Sequence, residues 1–253
     1  MPFKLLSALC AALVASGAFA QTKAPEPDYT LSYNAGAVSD YRFRGISQTS
    51  FKPAAQAGAD LALKSGAYLG LWASNIKWIE EYVGATKGAA EVDLYGGYKG
   101  DLAKDLAFDL GLIRYQYPGN TAGKVKGYVD ASTTEVYGAI TYGLITAKYS
   151  RSTTNFIANA ASRGSGYFEV SAGFDLGNGL TLTPHLGMQR IPHQAGDAGD
   201  YTDYSASLAK DFGNGLALTA SAIGTNADKV FYRDIRGRLL GKSTLVVGLK
   251  YNF

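Results

Sequence analysis

Thr244-Leu-Val-Val-Gly-Leu-Lys-Tyr-Asn-Phe253 ends the chain, and its alternation decides the fold. In a strand, successive side chains point to opposite faces. Leu245, Val247, Leu249, Tyr251 and Phe253 then form one apolar stripe, and Thr244, Gly248, Lys250 and Asn252 fall on the other face. A helix, with its period of 3.6, would mix the two sets.

The same alternation recurs towards the N-terminus. From Thr30 to Arg44 the odd positions (Leu31, Tyr33, Ala35, Ala37, Tyr41, Phe43) are apolar except Ser39, and the even ones are polar or small except Val38. This predicts a first strand running as far as Arg44. Ala55 to Lys64, Glu91 to Tyr98, Phe168 to Asp175 and Leu180 to Gln189 repeat it. Weaker strands are expected near 67–77, 106–117, 134–142, 144–151, 202–211 and 216–223, making about twelve. Pro184 stands inside one of them and removes a ladder donor, so either a bulge or a misplaced strand is expected there.

The connections alternate short and long. Short ones fall at Lys64-Ser65-Gly66, Lys99–Asp105, Tyr142-Gly143, Gly177-Asn178-Gly179 and Gly213-Asn214-Gly215. Long ones fall near 45–54, 77–90, 118–133, 152–166, 190–201 and 224–243. Asn-Gly pairs tolerate the positive φ of tight hairpins. Asp175-Leu-Gly-Asn-Gly-Leu180 recurs as Asp211-Phe-Gly-Asn-Gly-Leu216, which reads as one hairpin used twice. A soluble sandwich has no reason to sort its loops by length. An outer-membrane barrel places short turns towards the periplasm and long loops outside.

Composition agrees. The 253 residues include 18 Tyr and 31 Gly but one Cys and two His, and 47% are hydrophobic. Lys4, the apolar run Leu5–Val14 and Ala18-Phe19-Ala20 form a secretory leader over 1–20, cleaved after Ala20. Leu9 is too bulky for Cys10 to be a lipidation site. Without the leader the chain is Cys-free, and its 24 basic residues fall to 23 against 21 acidic, too even for nucleic-acid binding. No later run reaches the length of a transmembrane helix.

These readings converge on an all-β chain: a transmembrane antiparallel up-and-down β-barrel of about 12 strands over 29–253, with a short periplasmic segment at 21–28. The last ten residues resemble the terminal signal read by the barrel-assembly machinery of Gram-negative outer membranes, with Tyr251 and Phe253 as its aromatics. The expected location is that outer membrane, with its lipids and lipopolysaccharide as partners. The basic stretch Arg233, Arg236, Arg238 and Lys242 is a solvated loop first and a contact for lipid phosphates second.

Ser39-Asp-Tyr-Arg-Phe-Arg-Gly-Ile-Ser-Gln-Thr49, with Gly70-Leu-Trp-Ala-Ser-Asn75, Glu91-Val-Asp-Leu-Tyr-Gly-Gly-Tyr98 and Tyr115-Gln-Tyr-Pro-Gly119, resembles the TorF family of porins. The resemblance covers the mature chain and is densest before residue 150. It implies an outer-membrane barrel of porin type and supplies neither a solute nor functional residues. The loop near 190–201 and the stretch 233–242 depart most from the family pattern.

If the apolar faces meet lipid, the polar faces line a pore. The candidates are Asp40, Arg42, Arg44, Asp60, Glu91, Asp93, Asp109, Arg114, Glu135, Lys148, Arg151, Glu169 and His185, with Arg42 and Arg44 inward near the outer mouth as the leading pair. Mutual pairing inside a narrow barrel explains any one of them equally well. The expected function is passive diffusion of small hydrophilic solutes. The alternative is a structural or surface-interaction barrel with an occluded lumen. A lipid hydrolase using Ser171, His185 and Glu169 is a distant third. No cofactor is expected, nor a metal, because two His and no Cys give no ligand spacing.

Overall fold

The computed structural model describes residues 27–253. The leader expected over 1–20, and the chain up to residue 26, lie outside the described residues. Twelve strands form the wall: β1 (Tyr29–Val38), β2 (Ala54–Leu63), β3 (Ala67–Asn75), β4 (Ala90–Ala103), β5 (Leu106–Gln116), β6 (Thr133–Tyr142), β7 (Ile145–Ser152), β8 (Gly166–Ala172, continued as Phe174–Gly177), β9 (Leu180–Arg190), β10 (Tyr201–Asp211), β11 (Leu216–Thr225) and β12 (Thr244–Asn252). Each pairs antiparallel with its neighbours in sequence. β1 meets β12 from Asn34↔Asn252 to Val38↔Gly248, so the sheet closes on itself as a barrel. Closure leaves no unpaired edge for lipid to solvate.

The outer face is apolar. On β12, Leu245, Val247, Leu249, Tyr251 and Phe253 are all exposed, and Leu31, Tyr33, Leu69, Leu71, Leu110 and Leu112 continue the band around the wall. The short turns and both ends of the strand sequence lie at one end of the barrel, and the long connections lie at the other. Inward tyrosines lie flat on glycines of the next strand. A Cβ on Gly70 would come within 2.2 Å of the Tyr95 ring, and one on Gly111 within 2.5 Å of the Tyr137 hydroxyl.

Three expectations are corrected. First, β1 stops at Val38, not Arg44. The chain then leaves the wall, and Arg42–Phe43 pairs with Ile46–Ser47 in a small inner hairpin. Arg44 (φ 47°) and Gly45 (φ 79°) make its turn. The Asp40 carboxylate holds its base, accepting from the hydroxyls of Ser47 (2.6 Å) and Thr49 (3.1 Å). Second, the repeated hexapeptide makes two different turns. Asn178 (φ 52°) and Gly179 (φ 71°) form the expected positive-φ pair, whereas in the second copy only Gly213 and Gly215 are positive and Asn214 is not. Both copies keep one feature, an Asp carboxylate accepting from the N–H two residues on, at 2.8 Å each. Third, Pro184 causes neither a bulge nor a misplacement. It pairs with Ala206 on one side. On the other side the ladder stops at Ser171↔His185 and resumes at Phe174↔Leu182, three residues on along each strand. The register is unchanged, and the ladder is interrupted beside the residue with no N–H to give.

Candidate functional site: the capped lumen

The long loops do not stand open. Ile76, Trp78, Ile79 and Val83 from the β3–β4 loop pack with Tyr115, Tyr117, Ala122, Ala131 and Ala158. Ile46 packs with Tyr201, Tyr232 and Leu240. Tyr117, Ile76, Ile79 and Leu240 are no more than 1% exposed. These two apolar clusters pack the loops together at the long-loop end, and the inner hairpin joins them through Phe43 and Ile46.

Arg44 sits at the tip of that hairpin. Its guanidinium donates to Glu135 Oε2 on β6 (2.7 Å) and to Gln189 Oε1 on β9 (2.8 Å). It lies over the rings of Tyr167 (4.2 Å), Phe43 (4.7 Å) and Phe156 (5.3 Å). Burying a guanidinium is costly unless a charge and hydrogen bonds compensate, and here both do. Arg42 pairs with Asp40 (2.6 Å) and donates to the carbonyls of Gly45, Leu240 and Lys242, tying the first long loop to the last.

Below Arg42 and Arg44 lies a cavity of about 510 Å³. Its wall includes Tyr95, Tyr115, Tyr137, Lys148, Ser150, Tyr167, Glu169, His185, Asp203 and Ser205. Lys148 Nζ rests over the Tyr137 ring at 4.3 Å. His185 Nε2 lies 3.0 Å from Asp203 Oδ1 and 3.1 Å from the Tyr167 hydroxyl, and its Nδ1 lies 3.6 Å from Glu169. Both ring nitrogens face partners other than Ser171, so the relay that a hydrolase would need is not assembled around this histidine.

Most of the pore-lining candidates lie inside the barrel or at its capped mouth. Asp60 accepts from Tyr95 (2.5 Å) and Asp109 from Tyr68 (2.5 Å). Glu91 and Asp93 are buried on β4 near the mouth, where Tyr41 donates to Glu91 (3.2 Å). Glu135, Glu169, Lys148 and His185 are placed as above. Arg114 is on the wrong side. It pairs with Leu94 and shares the outward face of Leu110 and Leu112, and its guanidinium runs along the wall to Gln116 (3.2 Å) and Thr134 (3.0 Å). Arg151 pairs with the outward Val136 and is outward too. The alternation already forbade both, because Asp109 and Arg114, like Lys148 and Arg151, stand an odd number of positions apart. Tyr167, Gln189 and Asp203 were not among the candidates. Asp203 shares its parity with Ser205 on an expected strand, so alternation carried that signal; nothing local marked Tyr167 or Gln189 as partners of Arg44 or His185.

Among the described residues, no group of three or more His, Cys, Asp or Glu side chains is arranged to hold a metal. No described helix is long and apolar enough to cross a membrane, which says nothing of strands.

The cap has one strongly charged joint. Glu81, in the short helix α1 (Trp78–Glu81), meets Arg238, Arg236 (3.3 Å) and Lys52 (3.6 Å), and Arg238 also bonds Asp234 (2.7 Å). Burial raises the Glu81 pKa, but the Arg238 bond, the Ser50 hydroxyl, Lys52 and Arg236 outweigh it and hold the carboxyl below its ordinary value. A depressed folded pKa contributes stability above the unfolded value, about 4.3, that is lost as pH falls through the folded one. Limited proteolysis should therefore find the 78–83 and 232–240 segments resistant at neutral pH and cleaved once the pH falls below the ordinary carboxylate range, with the barrel intact. Glu81→Gln should show that sensitivity already at neutral pH, from a loss of roughly 1–3 kcal/mol. Equal resistance of both proteins across this range would rule the joint out.

A family model matches residues 22–253, almost the whole chain beyond the expected leader. The chain belongs to the Gcw_chp family, bacterial proteins of unknown function. No curated protein matches it. Among solved structures, this Gcw_chp chain is similar to the KdgM porin in complex with disordered oligogalacturonate, at TM-score 0.53 and 7% identity, over 88% of this chain and 98% of that one. It is similar to the NanC porin in its rhombohedral crystal form, at TM-score 0.53 and 9% identity, over 88% and 99%. At such identities the likeness is one of fold, and the fold is that of a porin barrel.

Proposed function

We propose that this chain is an outer-membrane channel of porin type for small hydrophilic solutes, with its first long loop acting as the gate. The observation that carries the reading is the cavity of about 510 Å³ inside a closed barrel, beside a hairpin that the Arg44 side chain, not the backbone ladder, ties to the wall. Twelve strands enclose an interior between the filled eight-stranded barrel and the sixteen-stranded porin. In this reading the long-loop end faces outwards, the short turns face the periplasm, and the leader over 1–20 delivers the chain. Membership of the TorF porins belongs to the same proposal. So does the role of Asp40, Arg42, Arg44, Asp60, Glu91, Asp93, Glu169 and His185 as groups that a solute meets at the mouth or along the lumen.

A second reading, a surface-interaction barrel with a permanently occluded lumen, draws support from the packing of the cap, where whole side chains such as Tyr117 and Leu240 are buried as in a domain core. Planar bilayers separate the two. The channel reading expects wild-type protein to be closed for most of the time, with brief small openings that lengthen once the hairpin is released. Folded barrels that stay silent under every condition, and that lose ligand or surface binding when 118–133 or 224–243 is trimmed, establish the second reading instead.

A further inference from the structure

We propose that Glu91 and Asp93 form a binding site for a hard divalent cation of calcium type, set in the wall beside the inner hairpin. The inward and mouth carboxylates of this barrel have partners. Asp40 has Arg42, Glu135 has Arg44, and Glu169 and Asp203 share His185. Asp60 and Asp109 accept from tyrosine hydroxyls. Glu91 and Asp93 differ: Tyr41 donates to Glu91 Oε1 (3.2 Å), but each acid keeps a second buried oxygen without a partner and has no cation beside it among the described residues. They stand two residues apart on β4 and so share the inward face. Glu91 is 1% exposed and Asp93 6% exposed. Glu91 Oε2 and Asp93 Oδ1 are buried and have no hydrogen-bond partner, and among the described residues neither side chain forms an ion pair.

Two carboxylates buried side by side without a counter-charge are not tolerable as they stand. Either protons or a cation beside them must neutralise the pair. The atoms on offer select the type of cation. They are carboxylate oxygens, the Tyr41 hydroxyl at 3.2 Å from Glu91 Oε1, and Ser74, which pairs with Glu91 across the strands. No thiol or imidazole is placed there, and all-oxygen donors of irregular geometry, completed by lumen water, suit calcium. Two carboxylates, not the three or more of a tight site, put the affinity at about 10⁻⁴–10⁻³ M, the range of extracellular calcium modules. Tyr41 belongs to the loop that carries the inner hairpin and packs edge-on against Trp72 of the wall at 5.3 Å. A cation held by Glu91 would therefore also hold the base of the hairpin. That last consequence rests on the channel reading, whereas the binding site itself does not.

Terbium tests the site without any channel measurement. Tyr41 and Trp72 are placed to sensitise its emission. Full-length refolded barrel should give tyrosine- and tryptophan-excited terbium emission that calcium displaces, and its melting temperature should rise as calcium is added. Glu91→Gln and Asp93→Asn should each weaken binding about ten-fold or more, as expected when a site loses ligand charge. The double variant should abolish both the emission and the calcium-dependent shift, while Glu169→Gln on β8 retains them. The double variant removes only charge, and heat-modifiable electrophoretic mobility confirms that it folds. Absence of a calcium effect on wild-type protein overturns the proposal. So does an equal effect on the double variant, or a double variant that is simply more stable than wild type at every calcium concentration, because the acids then carry protons and not a metal. If terbium binds and no condition produces conductance, the site stands and the channel reading fails.

Discussion

Arg44→Ala is expected to turn a barrel that is closed for most of the time into one with long-lived openings, and to do so at a measurable cost in stability. The guanidinium is the one group that joins the hairpin tip to both β6 and β9, through Glu135 at 2.7 Å and Gln189 at 2.8 Å. Its removal also leaves Glu135, whose Oε1 already lacks a partner, as a buried uncompensated charge. Breaking one side of such a pair typically costs about 3–5 kcal/mol. The cost falls on the hairpin and the cap, since the strand ladders of β6 and β9 do not involve the Arg44 side chain. Single-channel recording should therefore show a several-fold rise in open probability, and urea unfolding in detergent should show the cap lost before the barrel. Arg44→Ala combined with Glu135→Ala should recover part of the stability while leaving the channel open, because the orphaned carboxylate is gone and the pin is still missing. A single variant whose conductance trace matches wild type would show that the hairpin is not the gate.

Leu249→Arg is expected to be the most damaging single change on the outer wall. Leu249 is 49% exposed in the middle of β12, within the apolar stripe, and pairs with Ala37 on the closing seam and with Leu218 on β11. Arginine on the lipid face of a barrel costs about 2–4 kcal/mol near the bilayer midplane and much less near the interfaces. The seam adds to the effect, since β12 is the last strand and must find β1 to close the barrel. Refolding into liposomes should fall sharply in yield, and chemical unfolding of what does fold should show a loss of that size. Asn34→Arg places the same side chain on the inner face of the same seam, opposite Asn252, and should fold with near-normal stability. Equal tolerance of both changes would mean that the apolar stripe does not face lipid.

Legibility divides along physical lines. Strand positions, the even count and the sorting of loops were read from alternation and turn residues, and eleven of the expected strands lie where the structure has them to within a few residues. The twelfth, the first in the chain, was read too long. Its alternation continues through Arg42 and Arg44 without a break, yet the chain has left the wall after Val38. The pattern there records a hairpin with one face towards the apolar cap and the other towards the lumen, which has the same period as a strand in a wall. The outward placement of Arg114 and Arg151 is legible in the parity of their strands, which their charge alone does not report. The partners of Arg44 were not available at all, since Glu135 lies 91 residues away in sequence and Gln189 lies 145 away.

The sequence by itself determined a closed barrel with an apolar outside. Period-2 alternation is a local response to having lipid on one side and water on the other, and each strand carries it independently. Only the tertiary structure decided that the mouth is capped. The hairpin's place depends on Asp40, Arg42 and Arg44 finding groups on β6, on β9 and in the last loop, and those groups come together only once the twelve strands have closed. The terminal stripe from Leu245 to Phe253 therefore fixes how the chain sits and where it closes, and the place of the 39–53 loop inside the barrel depends on partners far away in sequence.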